Sequence, residues 1–113
     1  TVSAQGSVLT SDQRFKTNIT NAKSQLTDVV ALGNSLKNWD WADDAPVAEK
    51  DIRFLGLVAQ DVEAICPTLV TTIERTKNGL DDSYKGIKND VLIMKLLGAV
   101  AELSAKVAAL EGS

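Results

Sequence analysis

At 113 residues and 44% hydrophobic content, the chain is one domain with material for a modest core, and global disorder is excluded. A net charge of −3 gives no electrostatic reason to bind nucleic acid or an anionic membrane, and no run approaches the ~18 apolar residues of a spanning helix or the pattern of a signal peptide. Histidine is absent, which removes the commonest general base and zinc ligand and leaves any catalysis to Lys, Asp or Glu.

The first ten residues, TVSAQGSVLT, form a polar lead with β-favouring Val2, Val8 and Leu9, read as an extended segment continuing from an upstream partner. A polar run, SDQRFK, follows at residues 11–16. The spacing of Leu26, Val29, Val30 and Leu32 predicts a helix starting at Asn18 or Thr20, with Asn21 as a cap and Gly33 as its stop. Trp39 and Trp41 alternate with Asn38 and Asp40, the pattern of a strand with both indoles on one side; they are expected as core or interface anchors rather than sugar platforms. The acidic run Asp40, Asp43, Asp44, Glu49 and Asp51 lacks the glycine and spacing of a calcium loop and reads as a solvated face.

FLGLVAQ at residues 54–60 predicts a second strand, and DVEAICP a short helix with Asp61 near its N-terminus. Gln60, Asp61 and Glu63 are expected to make helix-end contacts rather than a hydrolytic carboxylate pair. Cys66 is the single cysteine and is expected to be buried and inert. Val70 to Arg75, then Asn78-Gly79, then Leu80 to Tyr84 predict a β-hairpin, since Asn-Gly supplies the positive-φ positions of a tight turn. It is too polar for a core and is expected to project, with Arg75 at its base and Lys77 at its tip facing solvent. The last element is a helix from Asn89 to Leu110, capped by Asn89 or Asp90. In it Ile93, Leu96, Val100, Leu103, Val107 and Leu110 are spaced 3, 4, 3, 4, 3, three heptads with Ile or Val at a and Leu at d. The row predicts an oligomeric coiled coil, of two or three strands, against the alternative of a helix packing on its own domain.

SDQRFK by itself is compatible with a polar turn capped by Ser11 or Asp12. The ordered set SDQRFK, NWDW, FLGLVAQDVEAICP, DDSYKGI and LLGAVAELSAKVAALE, over residues 10 to 111, resembles the C-terminal intramolecular chaperone domain of phage tailspikes, tail fibres, neck appendages and endosialidases. A related domain occurs in a membrane-anchored transcription factor of myelin. The resemblance implies an α+β, mainly helical fold with short strands, a projecting hairpin and a long C-terminal helix (about 89–111) in a trimeric coiled coil. It implies residues 1–11 as the end of a passenger stem and 12–113 as the chaperone.

The resemblance further implies a homotrimer that holds its own upstream β-structured passenger while it folds in the host cytoplasm. The chain then cuts itself between Ser11 and Asp12; the passenger joins the virion tail and the chaperone is released. Ser11 matches the family's nucleophile and Lys16 the lysine of its Ser-Lys dyad. Cofactor, metal, nucleic acid and membrane are not expected. A serine hydroxyl needs a base within about 3 Å, and a lysine acts as one only when neutral, a form favoured by burying the ammonium. Burial on assembly, with Arg14 as a second cation nearby, would therefore couple cutting to trimer formation. Because the cut bond follows the serine, attack of Ser11 on its own carbonyl closes a four-membered ring. Three routes stay open: that ring, attack on another subunit's bond, or activation of water. Two rivals are a non-cleaving trimerisation module that stays attached and a carbohydrate-binding tip.

Overall fold

The computed structural model describes residues 8–112; residues 1–7 of the predicted lead lie outside them. The elements run α1 (Leu26–Gly33), β1 (Lys37–Trp39), β2 (Phe54–Gly56), α2 (Ala59–Ile65), β3 (Val70–Ile73), β4 (Thr76–Lys77), β5 (Leu80–Asp81), β6 (Tyr84–Ile87) and α3 (Asn89–Glu111). This is a small α+β fold with three helices, short antiparallel strands and a long C-terminal helix. The radius of gyration is 18.2 Å, where a compact domain of this length has about 13 Å. Two stretches stand off the core, residues 8–24 before α1 and residues 103–112 at the end of α3, and every residue in both is exposed.

The core sits where the three helices meet the hairpin. Leu32 of α1, Val62 of α2, Cys66 and Leu69 are buried together, with Leu57, Ile65, Val70, Ile87 and Leu92 packed around them. Val62 and Leu69 have no exposed surface. The hairpin is therefore only half projecting. Its base pairs Val70 with Ile87 and Ile73 with Tyr84, and those first two side chains close the core. Its tip pairs Lys77 with Leu80 across Asn78 (φ 54°) and Gly79 (φ 76°), the two left-handed positions the Asn-Gly pair was expected to supply. The return arm runs on to Ile87 rather than ending at Tyr84.

Trp39 ends β1, and Trp41 lies beyond it, yet the two indoles meet edge to face at 5.4 Å, with Phe54 of β2 against Trp41 at 5.5 Å. Gly56 makes the room: a Cβ there would stand 2.7 Å from the Trp39 ring. The second strand stops at Gly56 rather than residue 60, because Ala59 already begins α2. Asp61 lies in the first turn of α2, as expected, and pairs with Lys37 at 3.1 Å; Glu63 pairs with Lys85.

Two helix starts differ from the sequence reading. The first helix begins at Leu26, not at residues 18–20, and Asn21 caps nothing. Asn18 has φ 53°, a left-handed value that a helix cannot contain. The N–H groups of Gln25 and Leu26 donate instead to the Glu102 carboxylate of α3, at 2.6 and 3.1 Å. The long helix is preceded by Lys88, with no side-chain cap; Asn89 and Asp90 lie inside its first turn.

The α3 helix carries two stripes. Leu92, Lys95, Gly98, Ala99 and Glu102 are buried or half-buried against the body, chiefly against α1. The a/d row Ile93, Leu96, Val100, Leu103, Val107 and Leu110 lies on other faces and is 45 to 76% exposed. From Leu103 to Glu111 every side chain is exposed. Packing on its own domain and presenting an apolar row are thus both properties of this one helix.

Candidate functional site

The segment SDQRFK folds into a single 3-10 turn over Gln13–Phe15. Asp12 caps it: its Oδ1 accepts from the Arg14 N–H at 3.0 Å, while its carbonyl accepts from the Phe15 N–H at 3.1 Å. The turn closes when Lys16 N–H donates to the Gln13 carbonyl at 3.0 Å. Folding the chain back in this way brings residue 16 to residue 11, and Lys16 Nζ lies 2.8 Å from Ser11 Oγ.

That distance suits proton transfer in either direction. With the amine as ammonium, Nζ donates to Oγ; with the amine neutral, the hydroxyl donates to Nζ and gains nucleophilic character. Both side chains are exposed in the single chain. Arg14 Nε stands 3.7 Å from Asp12, and its guanidinium lies 4.8 Å over the Phe15 ring. It contacts its immediate neighbours and shares the hollow beside Lys16. Asp12, Gln13, Arg14, Lys16, Asn18 and Ile19 line an open hollow around the turn.

The remaining polar residues singled out in the sequence do ordinary work. Asp40 pairs with Arg53 at 3.0 Å. Lys77, expected in solvent, stands 3.9 Å from Asp44, so the hairpin tip touches the acidic loop. Arg75 pairs with Asp82 and lies 5.1 Å from the Tyr84 ring. Exposed pairs of this kind contribute at most about 1 kcal/mol each. Among the described residues no group of three or more Cys, Asp or Glu side chains is arranged to hold a metal ion.

Cys66 is buried, and its thiol donates to Asp28 Oδ2 at 3.4 Å. Burial pushes the thiol above its ordinary range, and the hydrogen bond to Asp28 adds to the rise. It stays a thiol at neutral pH, in the core rather than at the Ser11–Lys16 turn. Glu102, which the sequence reading passed over, holds the start of α1. Its carboxyl is drawn below the ordinary carboxylate range by the Ser24 hydroxyl first and by the Gln25 N–H next.

The chain belongs to the peptidase family described as chaperone of endosialidase, whose model matches residues 11–71, just over half of the chain. The match opens on Ser11, takes in the turn with Lys16, and ends inside the hairpin. No curated protein matches the chain. Family membership supports a role as an intramolecular chaperone of a phage tail protein and a peptidase character.

Proposed function

We propose that this chain is a self-releasing intramolecular chaperone of a phage tail fibre or tailspike. Three copies assemble through the α3 rows, hold three copies of an upstream β-structured passenger in register, and each chain then cuts itself once between Ser11 and Asp12. The observation that carries this reading is the 2.8 Å approach of Lys16 Nζ to Ser11 Oγ at the first residue of the family match. Residues up to Ser11 are then the end of the passenger stem, and 12–113 the released chaperone. Cutting takes place in the host cytoplasm during assembly, and the passenger goes on to the virion tail.

In the cutting step Lys16 Nζ accepts the Ser11 hydroxyl proton, and that proton is returned to the departing Asp12 nitrogen. The amide between Ser11 and Asp12 breaks, and one water is consumed to leave a carboxylate on Ser11 and an amine on Asp12. The oxygen that first attacks is Oγ on its own carbonyl, Oγ on another subunit's bond, or water activated by the pair; all three routes give the same two fragments. Trimer assembly supports the chemistry by covering a pair that stands in solvent in the single chain, since removal of water favours the neutral amine.

The exposure of both side chains is also the observation that favours the rival, an attached trimerisation module with Ser11 and Lys16 merely in contact. Expression with the upstream passenger separates the two. The expected outcome is two fragments, the second with Asp12 at its N-terminus by mass, and no cutting in Ser11→Ala or in Lys16→Ala. A wild-type chain that assembles and never cuts establishes the attached module.

A further inference from the structure

The Ser11–Lys16 turn is tethered rather than packed. Among the described residues, none from 17 to 22 makes a hydrogen bond or ion pair. The first fastening comes at Ser24, Gln25 and Leu26, and all three fasten to the same side chain. The Ser24 hydroxyl donates to Glu102 Oε1, while the Gln25 and Leu26 N–H groups donate to Oε2 at 2.6 and 3.1 Å. Neighbouring positions on α3 complete the grip. Lys95 Nζ donates to Gln25 Oε1 at 2.5 Å. Gly98 lets the Gln25 stem lie so close that a Cβ at position 98 would come within 3.1 Å of its Cγ.

Glu102 directly precedes Leu103 of the exposed apolar row and stands about 100° round the helix from it, half-buried where Leu103 is exposed. Whatever packs on that row orients α3, and with α3 the carboxylate that holds residues 24–26. Seven residues of chain, 17–23, lie between Lys16 and Ser24, a reach of at most about 29 Å. With the grip released, the turn searches a larger volume, and its effective concentration against groups of a neighbouring copy falls.

Resting on the self-cleaving trimer proposed above, we infer that Glu102 is a positioning residue for the cut: it fastens the processing segment to the assembling helix, so that assembly sets where Ser11 and Lys16 stand. It touches no reacting atom. Its length, and one acceptor oxygen that reaches the Gln25 and Leu26 N–H groups together, are what the role needs.

The test uses the full chain with its upstream passenger. Trimers are isolated by size, and the rate at which the fragment beginning at Asp12 appears is followed by mass, per assembled trimer. Glu102→Ala trimers are expected to cut about tenfold more slowly or worse, as small misplacements of reacting groups do. Glu102→Asp, one methylene too short, should match them. Glu102→Gln keeps the length and one acceptor oxygen for the two N–H groups, and should stay within about threefold of wild type. A role in stability alone predicts equal rates in every assembled trimer, and that result overturns the inference, as does Glu102→Gln being as slow as Glu102→Ala. Should Glu102→Ala yield no trimer, Ser24→Ala replaces it: slower cutting supports the positioning role, and unchanged cutting ends it. A wild-type trimer that fails to cut, or cuts elsewhere, removes the proposed function itself and this inference with it.

Discussion

The two halves of α3 are made of similar residues and do opposite things. Over residues 89–102 one stripe of the helix is clamped by its own chain, through Leu92 at the core, Ala99 under α1, and Lys95 and Glu102 on the α1 end. Over residues 103–111 every side chain is exposed among the described residues, and Leu103, Val107 and Leu110 continue the row begun by Ile93. A helix of about nine residues is marginal in water by itself. The clamped half gives the free half a preformed start, and the free half displays the exposed apolar side chains Leu103 and Val107. In the proposed trimer this one element joins the fold of a chain to its assembly.

The division can be broken most visibly on the free half. Leu103→Asp combined with Val107→Asp should abolish the oligomer at micromolar concentration, measured by analytical ultracentrifugation. The near-ultraviolet circular dichroism of the Trp39–Trp41 pair should persist, because neither change touches the core. Loss of both signals together would show that the halves are one unit. Ala99→Asp should do the reverse. Ala99 is 3% exposed, and an unpaired carboxylate placed there costs about 3–5 kcal/mol, read as a shift in the urea midpoint of the single chain. A midpoint within ~0.5 kcal/mol of wild type would mean that α3 leaves the body easily.

The smallest expected effect concerns pH and belongs to the clamped half alone. Cys66 donates to Asp28, which also pairs with Lys95 of α3 at 3.4 Å. Because the folded thiol lies above its ordinary value of 9.0, the native state keeps a proton that the unfolded chain gives up. That stability is complete below about pH 9 and declines as pH rises from there towards the folded value. Urea titrations between pH 8 and 10 should show a steeper loss for wild type than for Cys66→Ala. Equal slopes would show that the thiol is not shielded as the structure has it.

What could be read in the sequence was what adjacent residues decide among themselves. The a/d row of α3 and the Asn78-Gly79 turn are local patterns, and both stand where the spacing put them. Cys66 lay among apolar neighbours and is buried. The start of α1 was not legible, because its cap is supplied by Glu102, 76 residues along the chain from Leu26. Nor was the clamped stripe of α3, since nothing in the spacing of Lys95, Gly98 and Glu102 shows that Gln25 and the start of α1 lie against them. FLGLVA, residues 54–59, is apolar throughout, and such a run carries no mark of where strand gives way to helix at Ala59. For the site, a spacing of five between serine and lysine implies no contact. The contact needs the 3-10 turn that Asp12 caps, and the residues were paired through the resemblance before the turn supplied the 2.8 Å approach.

The interior described above is thin. Leu32, Val62, Cys66 and Leu69 are its contiguous centre, and Ala99 of α3 is buried outside that cluster. So little buried material leaves a chain of this size near the margin of stability. Any molecule that covers the row from Ile93 to Leu110 binds the folded form and not the unfolded one, and so adds to stability in proportion to the logarithm of its concentration. For a chain that meets its own copies, the melting temperature then becomes a function of dose. Dilution softens the domain, crowding three chains together at one place hardens it, and the temperature at which it melts reports how many neighbours each chain has found.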